Sequence, residues 1–239
     1  MPRVFVTGDT HGDFRRIADF TGRYNTTTDD IIIILGDAGI NYFGDWQDTH
    51  LKRMLATLPI TLFCIHGNHE MRPQKVMRNG VNSYKLIERF SGFCWQEPEF
   101  PNLLFANDAQ AYLIAGKTCI VAGGAYSVDK HYRLSRGMRW FDDEQPNDVT
   151  KSAVQYALGI LGNKVDIVLS HTCPLKYIPT EMFLPMIDQS TVDHSTEEWL
   201  DLIEESISYK HWLCGHYHTD KTIDRIRFMF KDIVDLEEL

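Results

Sequence analysis

Cysteine is scarce here and never arranged for metal or redox work. The five thiols, Cys64, Cys94, Cys119, Cys173 and Cys214, form no CxxC pair, and their number is odd. That argues against a disulfide framework or a thiolate zinc cluster. Cys64, Cys119 and Cys214 sit inside apolar runs, where a thiol behaves as a small buried hydrophobe. No apolar run approaches the ~20 residues of a membrane-spanning helix, and a strand pattern begins almost at residue 1, with no signal peptide ahead of it. These features point to a reducing cytosol. Repeats, low-complexity tracts and linkers are missing too, so residues 1–239 read as one domain. Basic side chains are outnumbered: 24 against 33 acidic ones, a net charge of -9. Such a surface opposes non-specific nucleic-acid binding, which runs on counterion release by Lys and Arg. A nucleotide substrate stays open, because site charge and net charge are different quantities.

What is present is a series of strand-like runs, each with a polar motif behind it. Strands are expected over Arg3–Thr7, Asp30–Leu35, Ile60–Ile65, Leu103–Ala106, Ala111–Ala115, Thr118–Ala122, Val165–Leu169 and His211–Cys214. The near-continuous β-branched and Leu content of 31–35 and 165–169 suits strands covered on both faces. Ala111–Ala122 reads as a hairpin turning at Gly116-Lys117, and Thr222–Asp224 with Ile226–Ile233 as a second. Helices are expected over Asp13–Arg23 with Asp13 as a cap, Trp46–Leu58, Val149–Leu161 and Thr196–Ile207. Strand–helix alternation in the first third implies parallel pairing, and the later hairpins an antiparallel addition. Two packed sheets flanked by helices accommodate both. The polar, Arg-rich stretch Ala125–Asp148 reads as a long functional loop.

Five motifs follow these runs: Gly8-Asp9-Thr10-His11-Gly12, Gly36-Asp37, Gly67-Asn68-His69-Glu70, Ser170-His171 and Gly215-His216-Tyr217-His218. Parallel strands end side by side and ligands bind at their carboxyl ends, so the motifs can meet. Two Asp, one Asn and several His are hard or borderline donors for divalent first-row metals. With no thiolate among them, Mn2+, Fe2+/Fe3+, Zn2+, Co or Ni suits. That chemistry points to metal-assisted attack on a phosphate ester.

The order GDxH, GD, GNHE, a lone His and GHxH resembles the calcineurin-like metallophosphoesterase superfamily, from Asp9 to His218. Residues Gly123–Lys130 with Arg133 and Trp140 resemble its bacterial or phage branch. The resemblance implies an α/β fold, a four-layer α-β-β-α sandwich of two mixed sheets flanked by helices. It implies a phosphomonoesterase or phosphodiesterase with two divalent ions. Asp9, His11 and His218 would bind one, and Asn68, His171 and His216 the second. Asp37 would bridge them, relieving the repulsion of two cations ~3.5–4 Å apart. A hydroxide between the metals would attack phosphorus in line, and His69 would protonate the leaving group. The catalytic set is thus His69, Asp37 and Asn68, and the partner a small phosphorylated substrate: nucleotide, phosphomonoester or phosphodiester.

Arg133, Arg136 and Arg139 suit either a phosphate clamp or a solvated loop face. His131 is a weaker candidate, and His50, His194 and His211 read as structural or surface residues. Glu70 reads as a helix-start carboxylate or as an orienting partner for His69 or a nearby Arg. The phosphoprotein phosphatases of the superfamily follow their second motif with Val-Asp-Arg-Gly, whereas here Ala38-Gly39-Ile40-Asn41 follows Asp37. The Asp that orients the catalytic His is therefore missing from its usual place, with Asp45 as a substitute. A non-catalytic scaffold on the same fold and a metal-dependent nuclease are the competing readings. The sequence specifies neither the oligomeric state nor the particular substrate.

Overall fold

In the computed structural model, which describes residues 2–185 and 187–239, the first third alternates strand and helix. β1 (Val4–Thr7), α1 (Arg15–Tyr24), β2 (Ile31–Ile34), α2 (Trp46–Leu55) and β3 (Thr61–Cys64) follow one another. Every residue of these three strands is buried. A strand sends successive side chains to opposite faces, so a strand buried throughout needs a hydrophobic layer on each side. Val4, Val6, Ile31, Ile33 and Phe63 enter one core, while Phe5, Ile32, Ile34, Leu62 and Cys64 enter another with Phe14, Ile17 and Phe20 around α1.

The chain continues through a small ribbon, β4 (Met77–Arg78) and β5 (Val81–Asn82), into β6 (Lys85–Arg89), β7 (Gly92–Gln96) and β8 (Leu103–Ala106). Then come β9 (Ala111–Ile114), β10 (Lys117–Ala122), α3 (Lys130–Ser135), α4 (Asp148–Ile160), β11 (Ile167–Ser170), α5 (Ser195–Ser206) and β12 (His211–Cys214). β13 (Lys221–Ile223), β14 (Ile226–Phe228) and β15 (Val234–Asp235) close it. One sheet runs β15-β1-β2-β3-β8-β7-β6, the other β13-β14-β12-β11-β10-β9. β1, β2, β3 and β8 are mutually parallel, as are β10, β11, β12 and β14. The core between the sheets takes Cys119, Val121, Ile167, Leu169 and Leu213 from the second. A third core joins that sheet's outer face, with Ile120, Val168 and Trp212, to Val154 and Leu158 of α4 and Trp199, Leu200 and Ile203 of α5. Three cores between four layers make the expected α-β-β-α sandwich. All five cysteines are free and buried, and burial pushes Cys119 up to about 12.

The register sets the site. Thr7 pairs with Ile34 and Ile34 with Cys64, so three carboxyl ends are flush. Across the other sheet, Leu169 pairs with Leu213.

Several local expectations need correction. Asp13 caps α1 from one residue outside the expected position: its Oδ1 accepts the Arg15 N–H at 3.1 Å and its carboxylate pairs with the Arg15 guanidinium, while Phe14 holds the capping position without a side-chain bond. α2 ends at Leu55, three residues early. The second hairpin strand ends at Phe228, because the Asp220 carboxylate accepts the N–H groups of Phe230, Lys231 and Asp232 and turns the chain. The edge strand β6 and its neighbour β7 were not anticipated, since β6 is largely exposed and carries no apolar stripe. The 125–148 stretch holds α3. Among the described residues, no helix is long and apolar enough to cross a membrane.

Candidate metal centre

Each motif leaves its strand in a tight turn. His11, Asp37, His216 and His218 have φ of +47, +47, +68 and +49°. This left-handed backbone is uncommon for side-chain-bearing residues and concentrates at functional sites. The motif glycines allow one loop to lie on the next. A Cβ at Gly36 would collide with the His171 ring, one at Gly67 with Asp37, and one at Gly215 with Asp9 Oδ1.

The result is a continuous cluster. Asp9, His11 and His218 offer donor atoms within 4.8 Å of one another, as do His11, Asp37 and His69, and Asp9, Asp37 and His171. His11 Nε2 faces His218 Nε2 at 2.9 Å, and His218 Nε2 is 3.3 Å from Asp9 Oδ2. Asp37 spans the group, with Oδ2 3.8 Å from His11 Nδ1 and Oδ1 3.6 Å from His171 Nε2. The His216 ring packs 5.0 Å from that of His171. All seven residues expected to ligate metal therefore lie at one place.

The surroundings aim these donors. His171 Nδ1–H donates to the Leu35 carbonyl at 2.8 Å, so in the neutral ring the Nε2 lone pair points inward. Asn68 Nδ2 donates to Ser127 Oγ (2.9 Å), and Ser127 Oγ donates to Glu144 Oε2 (2.5 Å), which turns Asn68 Oδ1 inward. Asn68 Oδ1 then lies 2.8 Å from His171 Nε2, lone pair against lone pair. A cation between them removes that repulsion. Asp9 Oδ1 accepts the His216 N–H at 3.0 Å, but its buried Oδ2 makes no hydrogen bond among the described residues. Buried polar atoms are normally partnered, so this orphaned oxygen also fits a metal ligand.

Electrostatics agree. Burial pushes the Asp9 carboxyl up, but the facing His218, His171 and His11 outweigh it and hold it below the carboxylate range. Asp37 is likewise lowered: burial opposes ionisation, while His171 and His69 favour it. Burial and His171 push His216 down to about 3, which keeps its ring neutral as a donor must be.

His69 stands at the rim. Its N–H donates to Asp37 Oδ1 at 2.8 Å. Arg133 touches Nδ1, and since a guanidinium has no acceptor, the neutral ring carries its proton on Nε2. Asp129 Oδ1 lies 3.9 Å from that Nε2, and Asp129 Oδ2 accepts from Arg133 Nε at 2.7 Å. Asp45 is not the orienting carboxylate; it caps α2, accepting from Gln47 N at 2.8 Å. Asp129 is the carboxylate that lies nearest the His69 ring nitrogens, with no direct hydrogen bond to them.

Of the three arginines, Arg133 is buried against His69, with Nη1 donating to the Arg139 carbonyl. Arg136 is exposed over the Tyr132 ring, and Arg139 is exposed near Gly44, so neither lines the cavities beside the cluster. His131 is also exposed. Glu70 starts no helix. It is buried in a bend where it accepts from Gly67 N, and burial with nearby Asp37 pushes it up to about 8. His194, expected to be structural or at the surface, lines a cavity beside the cluster. Asp129, Ser127, Glu144 and Glu197 were missed as site residues, and only the Gly123–Lys130 resemblance signalled the first two.

A two-sheet sandwich with a His, Asp and Asn cluster at its parallel strand ends is the metallo-dependent phosphatase fold. The chain belongs to the calcineurin-like phosphoesterase family, whose profile matches residues 2–220. That family carries out metal-dependent phosphoester hydrolysis and typically holds two divalent ions. No curated protein matches the sequence. Among solved structures, the protein TT1561 of Thermus thermophilus is similar at 13% identity, covering 96% of this chain and 89% of its own, with a TM-score of 0.52. A phosphopantetheinyl hydrolase (PptH) from Mycobacterium tuberculosis is similar at 12% identity, covering 96% and 88%, with a TM-score of 0.45. At such identity the likeness to TT1561 concerns the fold alone.

Proposed function

We propose that this chain is a dinuclear metal-dependent phosphoesterase acting on small phosphomonoesters or phosphodiesters. The supporting observation is the merged donor cluster, with Asp37 between the Asp9–His11–His218 group and the Asn68–His171–His216 group. Those groups would each hold one ion and Asp37 would touch both. When bound, the ions supply a deprotonated water and positive charge for the phosphoryl oxygens. Manganese, iron and zinc suit mixed nitrogen and oxygen donors without thiolate.

The chain's own residues do the rest. Asn68, steered by Ser127 and Glu144, contributes a neutral oxygen, so the site keeps a net positive charge of about +1 that draws in a phosphate. His69 presents its Nε2–H to the leaving oxygen, with Asp129 beside that nitrogen, and stabilises the charge that develops there, while water supplies the proton itself. Arg133 blocks Nδ1 and fixes the tautomer. The partner is a small phosphorylated molecule, not a membrane or nucleic-acid polymer, in line with the charge of -9. The free, buried thiols suit a cytoplasmic setting. Turnover of an aryl phosphate and an aryl phosphodiester with Mn2+ tests the reading. Turnover of either supports it; silence on both, across pH and with Fe2+ and Zn2+ as well, rejects it.

A further inference from the structure

The cavity beside the cluster has a volume of about 310 Å3, at the small end of the roughly 300–1,000 Å3 of ligand sites. One wall is the donor cluster, including Asp37, His69 and His218. The facing wall is apolar: Tyr126 and Val128 beyond β10, then Phe183, Leu184, Ile187 and Val192 from the turns between β11 and α5. A phosphate gains nothing from such a surface, so it serves the organic group esterified to the phosphate.

That wall contains one discordant residue. Glu197 lines the cavity yet is only 3% exposed. Its Oε1 accepts from Thr172 Oγ1 at 2.7 Å, while Oε2 makes no hydrogen bond among the described residues. The nearest basic group, His194 Nδ1, is 4.0 Å away, beyond bonding reach. A buried oxygen without a donor is costly, and a ligand that brings an N–H into the cavity removes the cost. An acyl chain would bury the oxygen further and is disfavoured. An aromatic heterocycle with an amino or ring N–H satisfies both features, since aromatic side chains such as Tyr126 and Phe183 bind base faces well.

We infer that this cavity receives a nucleobase-type ring of the substrate, packed against Tyr126 and Phe183 with an N–H donated to Glu197 Oε2. The inference rests on the phosphoesterase reading for the position of the phosphate.

The test is calorimetric binding at about pH 8, where the Glu197 carboxyl, pushed up to about 7 by burial, is ionised and can accept, to metal-loaded protein of guanosine 5′-monophosphate, ribose 5-phosphate and ethanolamine phosphate. The nucleotide should bind about tenfold or more tightly than ribose 5-phosphate, the scale of one stacked base. Glu197→Gln should remove most of that advantage and leave inorganic phosphate binding unchanged. Leu184→Asp, on a residue 56% exposed and therefore safe for folding, should do the same. Equal binding of nucleotide and ribose 5-phosphate overturns the inference, as does ethanolamine phosphate binding as tightly as the nucleotide. An advantage that survives both substitutions also overturns it. If the aryl esters are turned over but the nucleotide shows no advantage, the cavity assignment fails alone. If no ester is turned over, the phosphoesterase reading fails, and binding still judges the cavity.

Discussion

Gly67 lies against Asp37 so closely that a Cβ on the glycine would collide with both the Asp37 backbone N and its Oδ1. The same contact brings His69 N–H onto Asp37 Oδ1 at 2.8 Å. The glycine is therefore a spacing element: it sets how near the 67–70 loop comes to the central carboxylate. Gly67→Ala should retain the far-ultraviolet circular dichroism of the sandwich, because the clash is at a loop tip. It should lower metal content and reduce turnover by about 100-fold or more, as small displacements of catalytic groups do. Elemental analysis of dialysed protein and initial rates check this; wild-type values for both would show that the loop does not position the cluster.

His69 and its neighbours should separate by kinetics. His69→Asn is expected to keep the wild-type metal content while losing about 10²- to 10³-fold in kcat, the reach of a hydrogen-bond donor aimed at developing charge. Asp129→Asn should cost less, about tenfold, because Asp129 acts through the His69 ring. An ester with a nitrophenolate leaving group spreads that charge over its own ring, so the loss in both variants should shrink with it. A loss independent of leaving group would point to a structural role.

Removing metal should weaken the fold as well as the activity. Asp9 and Asp37 are only 1% and 2% exposed, and without cations they share one small volume. A chelator should abolish turnover and lower Tm, and added Mn2+ should restore both, with Tm rising with metal concentration as mass action requires. A Tm indifferent to chelator and metal would contradict the assignment of those carboxylates.

Glu197 should imprint a pH dependence on stability. Burial pushes its carboxyl up to about 7 from an ordinary 4.5. The folded form thus holds a proton that the unfolded chain releases between those values. Its contribution is intact below the ordinary value, falls as pH rises through the window and levels off above about 7. The loss is on the order of 3 kcal/mol. Glu197→Gln has no proton to lose, so urea midpoints at about pH 5 and about pH 8 should converge relative to wild type. Identical pH slopes in the two proteins would exclude Glu197 as the source.

The sequence by itself determined the strands and the donors. Runs such as Ile31–Ile34 are so uniformly apolar that only burial on both faces suits them, and each motif sits where such a run ends. Local composition carries that information, so each of the seven side chains that cluster in space stands in a motif visible in the sequence. The edge strand β6 escaped because its largely exposed residues obey no apolar pattern, and its neighbour β7 because only Gly92 and Cys94 of its five residues are buried. Which neighbours serve the donors was decided only by tertiary structure. Asp129 rather than Asp45 stands beside His69, Ser127 and Glu144 orient Asn68, and Glu197 faces the cavity from a helix that reads as merely amphipathic. These pairings join residues tens of positions apart through loops, and a lone Asp, Ser or Glu has no periodicity to betray it. The packing of one sheet upon the other chooses the partner, through distances that no stretch of sequence encodes alone.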